Sequence, residues 1–552
     1  MSNQFIAQSS PVKSPSTKHH TKQVIGYITT YDAWKNIENF VKKGTYTHLN
    51  LDFSQYSILN FAFFGLAKDG SLHSADFLNR EIYRPETSQE PRPLIYDDIW
   101  SSWDPTFLLG SSNLLTEAHR HGVKVMASIC GWSMSKHCPE VFRTPAKRAR
   151  FIEECKKLIS MGFDGIDLDW EFPGAQGMNI YDHAPLEPNG SSEDHRNFVI
   201  LMKELRAAIG PNKLLTAAFI CNPDLLHFDW DSLNEVMDYY NMMTYDINGG
   251  WSDHADHNSP LYPSKLNPNS LDTTTRFLVD EKKVPPHKIN LGVAFYGRGV
   301  ITDGMASLHA PTIKKNHVFV RPDGPVDTCA DFDTWDREVT GSRDEITGHV
   351  FSGTPFYSYI EQVTGPGSGW ERRWDDQSKV PYKVRGNRFI SYDDQESVTL
   401  KARYVKEQNL AGLIVWTVFG DWMNLMEGST TLPGTGQVPV IAPQVRTPLI
   451  NAINEEFGRG TDVIPDKEQP RIWLERPKSG NVFTQPTDVE LVAGLHDPEK
   501  RLIKVQFYIN GELQGETSTA PYTWLWKGAP AGSHQLQARA VLRKRTTRAA
   551  RV

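Results

Sequence analysis

Cysteine is scarce in this 552-residue chain: Cys130, Cys138, Cys155, Cys221 and Cys329 are widely spaced and form no CxxC pair. That argues against a disulfide framework and against a thiolate zinc site, and leaves open a single pair such as Cys130 with Cys138. No stretch approaches the ~20 apolar residues of a membrane span, so no membrane partner is expected. The opening stretch, MSNQFIAQSSPVKSPSTKHHTKQ, has no apolar run of leader type, and residues 1–22 read as a disordered Ser/Pro/Lys tail. Positive charge is not in surplus either: 59 Lys and Arg stand against 66 Asp and Glu, a net −7. A nucleic-acid partner needs a clustered basic excess. The one dense basic stretch, Arg543–Val552, reads as solvated.

Aromatic residues, by contrast, are plentiful. Fifteen Trp, nineteen Tyr and twenty-six Phe are present, and several of the Trp lie in loop-like sequence. Trp exposed on loops suits a partner with a flat apolar face, such as a sugar ring. The chain is too long for one core, so two or three domains are expected. From residue 24, short Val/Ile/Phe-rich runs alternate with amphipathic stretches. Strands are predicted at Val24–Tyr27, Ser57–Phe64, Lys124–Cys130, Gly165–Glu171, Leu214–Ile220, Tyr239–Tyr245, Ile289–Phe295 and Leu413–Trp416. Helices are predicted between them at Asn113–His121, Ala146–Met161, Asp194–Ile209 and Ser397–Gln408. Eight buried parallel strands interleaved with helices point to an α/β fold, a (β/α)8 TIM barrel over 23–432.

One connection departs from the pattern. Between the seventh and eighth strands lie roughly 115 residues, far beyond the usual ~2–6. An inserted α+β domain over 300–389 is expected there, walling one side of a cleft. Residues 433–468 are rich in Pro, Gly and Asp and read as a linker. Beyond it, 469–552 shows short alternating runs, with Asn510-Gly511 as a hairpin signal. An immunoglobulin-like β-sandwich is expected. Its Tyr522, Trp524 and Trp526 share one strand face, which is core if it points inward and a flat sugar-binding strip if outward.

The run FDGIDLDWEFPG, Phe163–Gly174, carries the chemistry. On a strand, Asp167, Asp169 and Glu171 face one way, ~6–7 Å apart in succession. Ile166, Leu168 and Trp170 face the other way, toward the helices. Three carboxyls in a barrel interior cannot all ionise cheaply, so at least one is held protonated. Glu171 stands last, at the C-terminal end where barrel sites are built, and fits a general acid. A Ca²⁺ or Mg²⁺ site, or a structural role, is the competing reading.

DGIDLDWE resembles the DGxDxDxE signature of glycoside hydrolase family 18, the chitinase family. SICGW (Ser128–Trp132) is similar to the family's third-strand motif, with Cys130 where the first of two glycines is expected. NMMTYD (Asn241–Asp246), FYGR (Phe295–Arg298) and GLIVWTVFGD (Gly412–Asp421) resemble the sixth-, seventh- and eighth-strand segments. VPYKV…FISYDD (Val380–Asp394) resembles the end of the inserted domain found in the deep-cleft subfamily. The resemblance spans roughly residues 24–430 and implies a retaining, substrate-assisted reaction with no cofactor and no metal. Glu171 would then be the acid/base, while Asp169 would hold the substrate's acetamido N–H. Asp167 would share a proton with Asp169, and Tyr245 would hydrogen-bond the acetamido oxygen. Trp416 would floor the cleft, with Met243 and Asp246 shaping the pocket. Tyr27 and Ser128 would partner Asp167, and Tyr296 and Arg298 would position substrate. Trp132, Trp251 and Trp422 would stack on sugars further out.

The implied partners are chitin and chitooligosaccharides. An endo-β-N-acetylglucosaminidase acting on N-glycans shares the signature. A chitin-binding lectin-like barrel is the non-enzymatic alternative, and such barrels usually lose the terminal Glu. The substrate implies an extracellular location. The export route is left open, and a partner that carries the chain out, such as a secretion or toxin complex, is one the sequence leaves room for. The metal-like residues of DHADH (Asp253–His257) have no further ligands apparent in the sequence.

Overall fold

In the computed structural model the described residues are 3–6, 22–29, 46–73, 108, 113–174 apart from 133, 190–313, 319–321, 324–326, 354–423, 445–458, 471–477, 487–497 and 502–543 apart from 532, 533 and 535. The chain divides into two units, residues 19–459 and residues 1–18 with 460–552.

The larger unit is the expected barrel. Its strands are β1 (Gln23–Thr29), β2 (Ile58–Leu66), β3 (Lys124–Cys130), β4 (Gly165–Asp169), β5 (Leu214–Ile220), β6 (Tyr239–Met243), β7 (Ile289–Ala294) and β8 (Gly412–Trp416). Each pairs in parallel with the next, and β8 pairs with β1 to close the ring. Nearly every residue of these strands is buried, because one face fills the barrel and the other meets helices. Trp170, just past β4, shows the outer face: its ring lies 5.3 Å from Phe142 and 6.4 Å from Phe198, centroid to centroid. Phe142 belongs to α2 (Cys138–Arg143) and Phe198 to α4 (Glu193–Ile209); α1 (Leu114–Arg120) and α3 (Pro145–Met161) come earlier in the chain.

The insertion is present, with somewhat wider limits. Antiparallel strands Arg298–Ile301, Arg388–Ser391, Val380–Arg385 and Glu371–Asp375 make a four-stranded sheet in that order. It therefore begins at Arg298 rather than 300 and ends at Ser391 rather than 389. The difference matters, because Arg298 enters the cleft from the sheet's first strand. Residues 327–353 of the insertion lie outside the described residues.

Two expectations need correcting. The linker assigned to 433–468 contains a helix, Pro448–Glu456, which packs on the barrel helix Gln395–Glu407 and buries Leu449, Ile450 and Ile453. The Pro/Gly content of the flanking sequence masked this short amphipathic run. The tail assigned to 1–22 contains a strand, Asn3–Ile6, antiparallel to Leu536–Leu542. Its four residues are too few to show a period, and their partner is more than 500 residues away in sequence.

The smaller unit is an antiparallel β-structure of two sheets. One has the order Asn3–Ile6, Leu536–Leu542, Leu502–Ile509, Glu512–Thr517; the other has Arg471–Arg476, Thr487–His496, Tyr522–Ala529. Asn510 and Gly511 both have positive φ, 50° and 88°, as a tight hairpin requires. Tyr522, Trp524 and Trp526 point inward, packing on Val489, Leu491 and Phe507.

Candidate active site

The three acids of β4 occupy three different environments. Asp167, deepest, is fully buried and accepts four hydrogen bonds. Tyr27 Oη (3.0 Å) and Ser128 Oγ (2.7 Å) donate to one oxygen; Thr216 Oγ1 (2.5 Å) and Asn241 Nδ2 (3.1 Å) donate to the other. Asn290 Nδ2 in turn donates to Asn241 Oδ1 at 3.0 Å. The strand register explains the cluster, since Ser128, Asp167 and Thr216 are direct neighbours across β3, β4 and β5. Burial raises the Asp167 pKa, and the four donors partly offset that. Tyr27 and Ser128 thus stand where the sequence predicts. Thr216, Asn241 and Asn290 were missed, although the two-residue period of β5, β6 and β7 offered the signal.

Asp169 is also buried, and its pKa is held well above the usual range by burial first, then by the charges of Glu171 and Asp167. Its Oδ1 is buried without a protein hydrogen-bond partner among the described residues. Such an atom is costly unless something occupies it.

Glu171 lies just past the end of β4 and stays partly exposed. Burial, then the neighbouring charge of Asp246, raises its pKa to about 8, against a backbone hydrogen bond from Trp132. Its own backbone N–H donates to Ser135 Oγ at 3.0 Å, and that hydroxyl donates to Gly131 O at 2.9 Å. Cys130 adopts φ 81° and Gly131 φ 76°. A Cβ on Gly131 would fall 2.7 Å from the Phe63 ring, so glycine is needed there, whereas Cys130 holds its positive φ as a non-glycine residue.

The rim assembles from β6, the insertion and β8. Tyr245 is buried, with its ring 6.1 Å from that of Tyr296, and Gly292 leaves the space it occupies. A Cβ there would lie 2.6 Å from Tyr245 Cε1. Asp246 Oδ1 accepts from Tyr296 Oη (2.5 Å) and Arg298 Nε (2.9 Å). The Arg298 guanidinium lies 4.9 Å above the Trp251 ring, which ties that exposed Trp to the site. Trp416, ending β8, is stacked on Phe63 at 5.8 Å and tilted against Tyr27 at 5.5 Å. Met243, ending β6, is half-buried, and Trp132 is exposed beside Phe172 at 6.2 Å. Trp422 is not on the rim. It is buried against Phe419 and Tyr46 as core, because the chain turns inward after β8.

In Asp253–His257, His257 is spent on Asp375 (2.8 Å) and Asp256 accepts from Ser264 (2.6 Å). No group of three or more His, Cys, Asp or Glu residues is gathered for a metal among the described residues.

Comparison with known proteins bears on the whole arrangement. Chitinase ChiA of Flavobacterium johnsoniae is 26% identical over 464 residues, 74% of this chain and 27% of that protein. Chitinase A1 of Niallia circulans is 27% identical over 477 residues, 77% and 60% respectively. The chain thus spans less than two thirds of either relative. Chitinase ChiA74 from Bacillus thuringiensis superposes with a TM-score of 0.59 at 21% identity, covering 94% of this chain and 82% of that one, a likeness of fold. Residues 470–538 match the family described as bacterial Ig domain. Glycosyl hydrolases family 18 matches residues 23–421, and the chain belongs to that family.

Proposed function

We propose that the chain is a chitinase that cleaves β-1,4 links between N-acetylglucosamine units by substrate-assisted catalysis, with Glu171 as the acid/base. Protonated Glu171 gives its proton to the glycosidic oxygen as that bond breaks. The substrate's own acetamido oxygen closes on the anomeric carbon to form an oxazolinium ion. Asp169 Oδ1, which has no protein partner among the described residues, receives the acetamido N–H and offsets the ring's positive charge. Tyr245 steadies the acetamido oxygen, and Trp416 supports the sugar face. Glu171, now ionised, takes a proton from water as the water opens the oxazolinium, so configuration at the anomeric carbon is retained. Asp167 and Asp169 share one proton and titrate as a pair: at rest the Asp167 donors favour the charge on the deeper member, and as the oxazolinium forms the proton passes to Asp167, leaving Asp169 as the carboxylate that faces the positive ring. Tyr296, Asp246 and Arg298 set the pocket's wall, with Trp132 and Trp251 as outer platforms. We assign the work to outside the cell, where chitin is met as a polymer.

The observation that carries this reading is Glu171 itself: partly exposed at a strand's C-terminal end, with a pKa of about 8. The test is hydrolysis of fluorogenic di- and tri-N-acetylchitooligosaccharides by the unmodified chain and by Glu171→Gln. A loss of at least ~10²-fold in kcat for the variant is expected. Binding of chitin by the unmodified chain without any hydrolysis would instead make it a lectin.

A further inference from the structure

We propose that Cys130 and Cys138 are a redox pair that closes as an intramolecular disulfide across the segment presenting Glu171. Their Sγ atoms are 3.2 Å apart, and both side chains are fully buried as free thiols. A disulfide bond is about 2.04 Å, so closure asks for a shift of roughly 1.2 Å. The two residues bracket a single element of the site. Cys130 ends β3 and pairs with Asp169 across the ladder, while Cys138 opens α2. Between them, Gly131 N–H donates to Asp169 O at 2.7 Å, Trp132 N–H to the Glu171 carboxylate, and Ser135 Oγ receives the Glu171 N–H. A link between the ends would therefore fix the segment that sets where Glu171 stands.

The oxidant is a low-molecular-weight disulfide, RSSR. One cysteine thiolate attacks it, forming a mixed disulfide and releasing RS⁻. The second thiolate attacks the protein-side sulfur and releases the other RS⁻. Two thiol protons go to the two leaving thiolates, and two electrons pass from the cysteines to RSSR. Because both sulfurs are buried, the exchange runs while the 130–138 segment is open, during folding or on local unfolding. Burial, together with Cys130, also raises the pKa of the Cys138 thiol, which slows attack from the closed state.

The test refolds the full chain in mixed reduced and oxidised glutathione, then blocks free thiols with iodoacetamide in denaturant and maps the peptides by mass. The expected result is one Cys130–Cys138 link and an unfolding midpoint roughly 3 °C above that of the dithiothreitol-reduced chain. Cys138→Ser should abolish both. Should that variant fail to fold, Cys130→Gly serves, since glycine takes a φ of 81° without strain. Full alkylation of both cysteines, a link to Cys155, Cys221 or Cys329 instead, or a midpoint that ignores the redox state would each overturn the proposal. The link to Glu171 placement rests on the catalytic reading above. The thiol map does not, so an inactive chain with the disulfide and an active chain without it are separate results.

Discussion

A carboxyl at the mouth of a barrel meets two opposing demands. It must stay near enough to water to exchange its proton, yet dry enough to keep it. Glu171 meets both: desolvation and the charge on Asp246 hold the proton, while partial exposure leaves it reachable. On the proposed mechanism the acid form of Glu171 is the active one, so its pKa of about 8 predicts the pH profile. Log kcat/KM should fall with unit slope above about pH 8. In Asp246→Asn the loss of that charge makes Glu171 a stronger acid, so the alkaline limb should move to lower pH. A limb that stays put would show that burial alone sets the value. Tyr245→Phe removes the hydroxyl that the proposed mechanism sets against developing charge, and kcat should fall about 10²-fold with KM little changed, measured on the same oligosaccharides. The three acids, Tyr245 and Trp416 were legible because they sit in contiguous motifs. Ser135 was not, since a lone loop serine carries no pattern until a backbone N–H is seen to need it.

At the scale of elements, strands were legible and joints were not. All eight barrel runs and the main helices stand within a few residues of where the apolar pattern puts them, because buried parallel strands carry an unbroken signal. The helix Pro448–Glu456 was read as linker, and its anchor explains how so short an element is held. Asp421, buried after β8, accepts the N–H groups of Leu449 and Ile450 at 3.0 and 3.1 Å. Burial raises its pKa to about 7, above its value in the unfolded chain. With the folded pKa raised, the folded state binds the extra proton, so stability falls as pH rises from about 4 through 7. Asp421→Asn keeps an acceptor and removes the charge. Its stability should gain on that of the unmodified chain across that window, by at most roughly 4 kcal/mol, read from thermal unfolding at each pH. A difference independent of pH would refute this. A second joint runs under the active site: buried Lys401 meets Asp393 at 2.7 Å and Ser259, whose Oγ donates to Thr244 O next to Tyr245. Lys401→Met strands Asp393 as an unpaired buried charge. It should cost about 3–5 kcal/mol in denaturant unfolding.

At the scale of the whole molecule, chain order and unit membership disagree. Every residue assigned to the site lies in 19–459, while the smaller unit is built from both ends of the chain. The strand Asn3–Ile6 is the outer member of its sheet, beside Leu536–Leu542, which carries the ladder inward to Leu502–Ile509. Truncating at Arg459 alone would leave Asn3–Ile6 with no ladder to join, and an unpaired strand is a template for association. Truncating both ends, to 19–459, removes that hazard along with the sandwich. The double truncation should therefore show no more association in light scattering than the full chain and keep kcat/KM on soluble oligosaccharides within about twofold, since no site group is touched. The single truncation should show the same specific activity in its soluble fraction but a greater tendency to aggregate. Equal behaviour of the two would mean that the unpaired N-terminal strand is no template for association. Loss of activity in the double truncation would mean that the site depends on that unit, contrary to the placement of its residues.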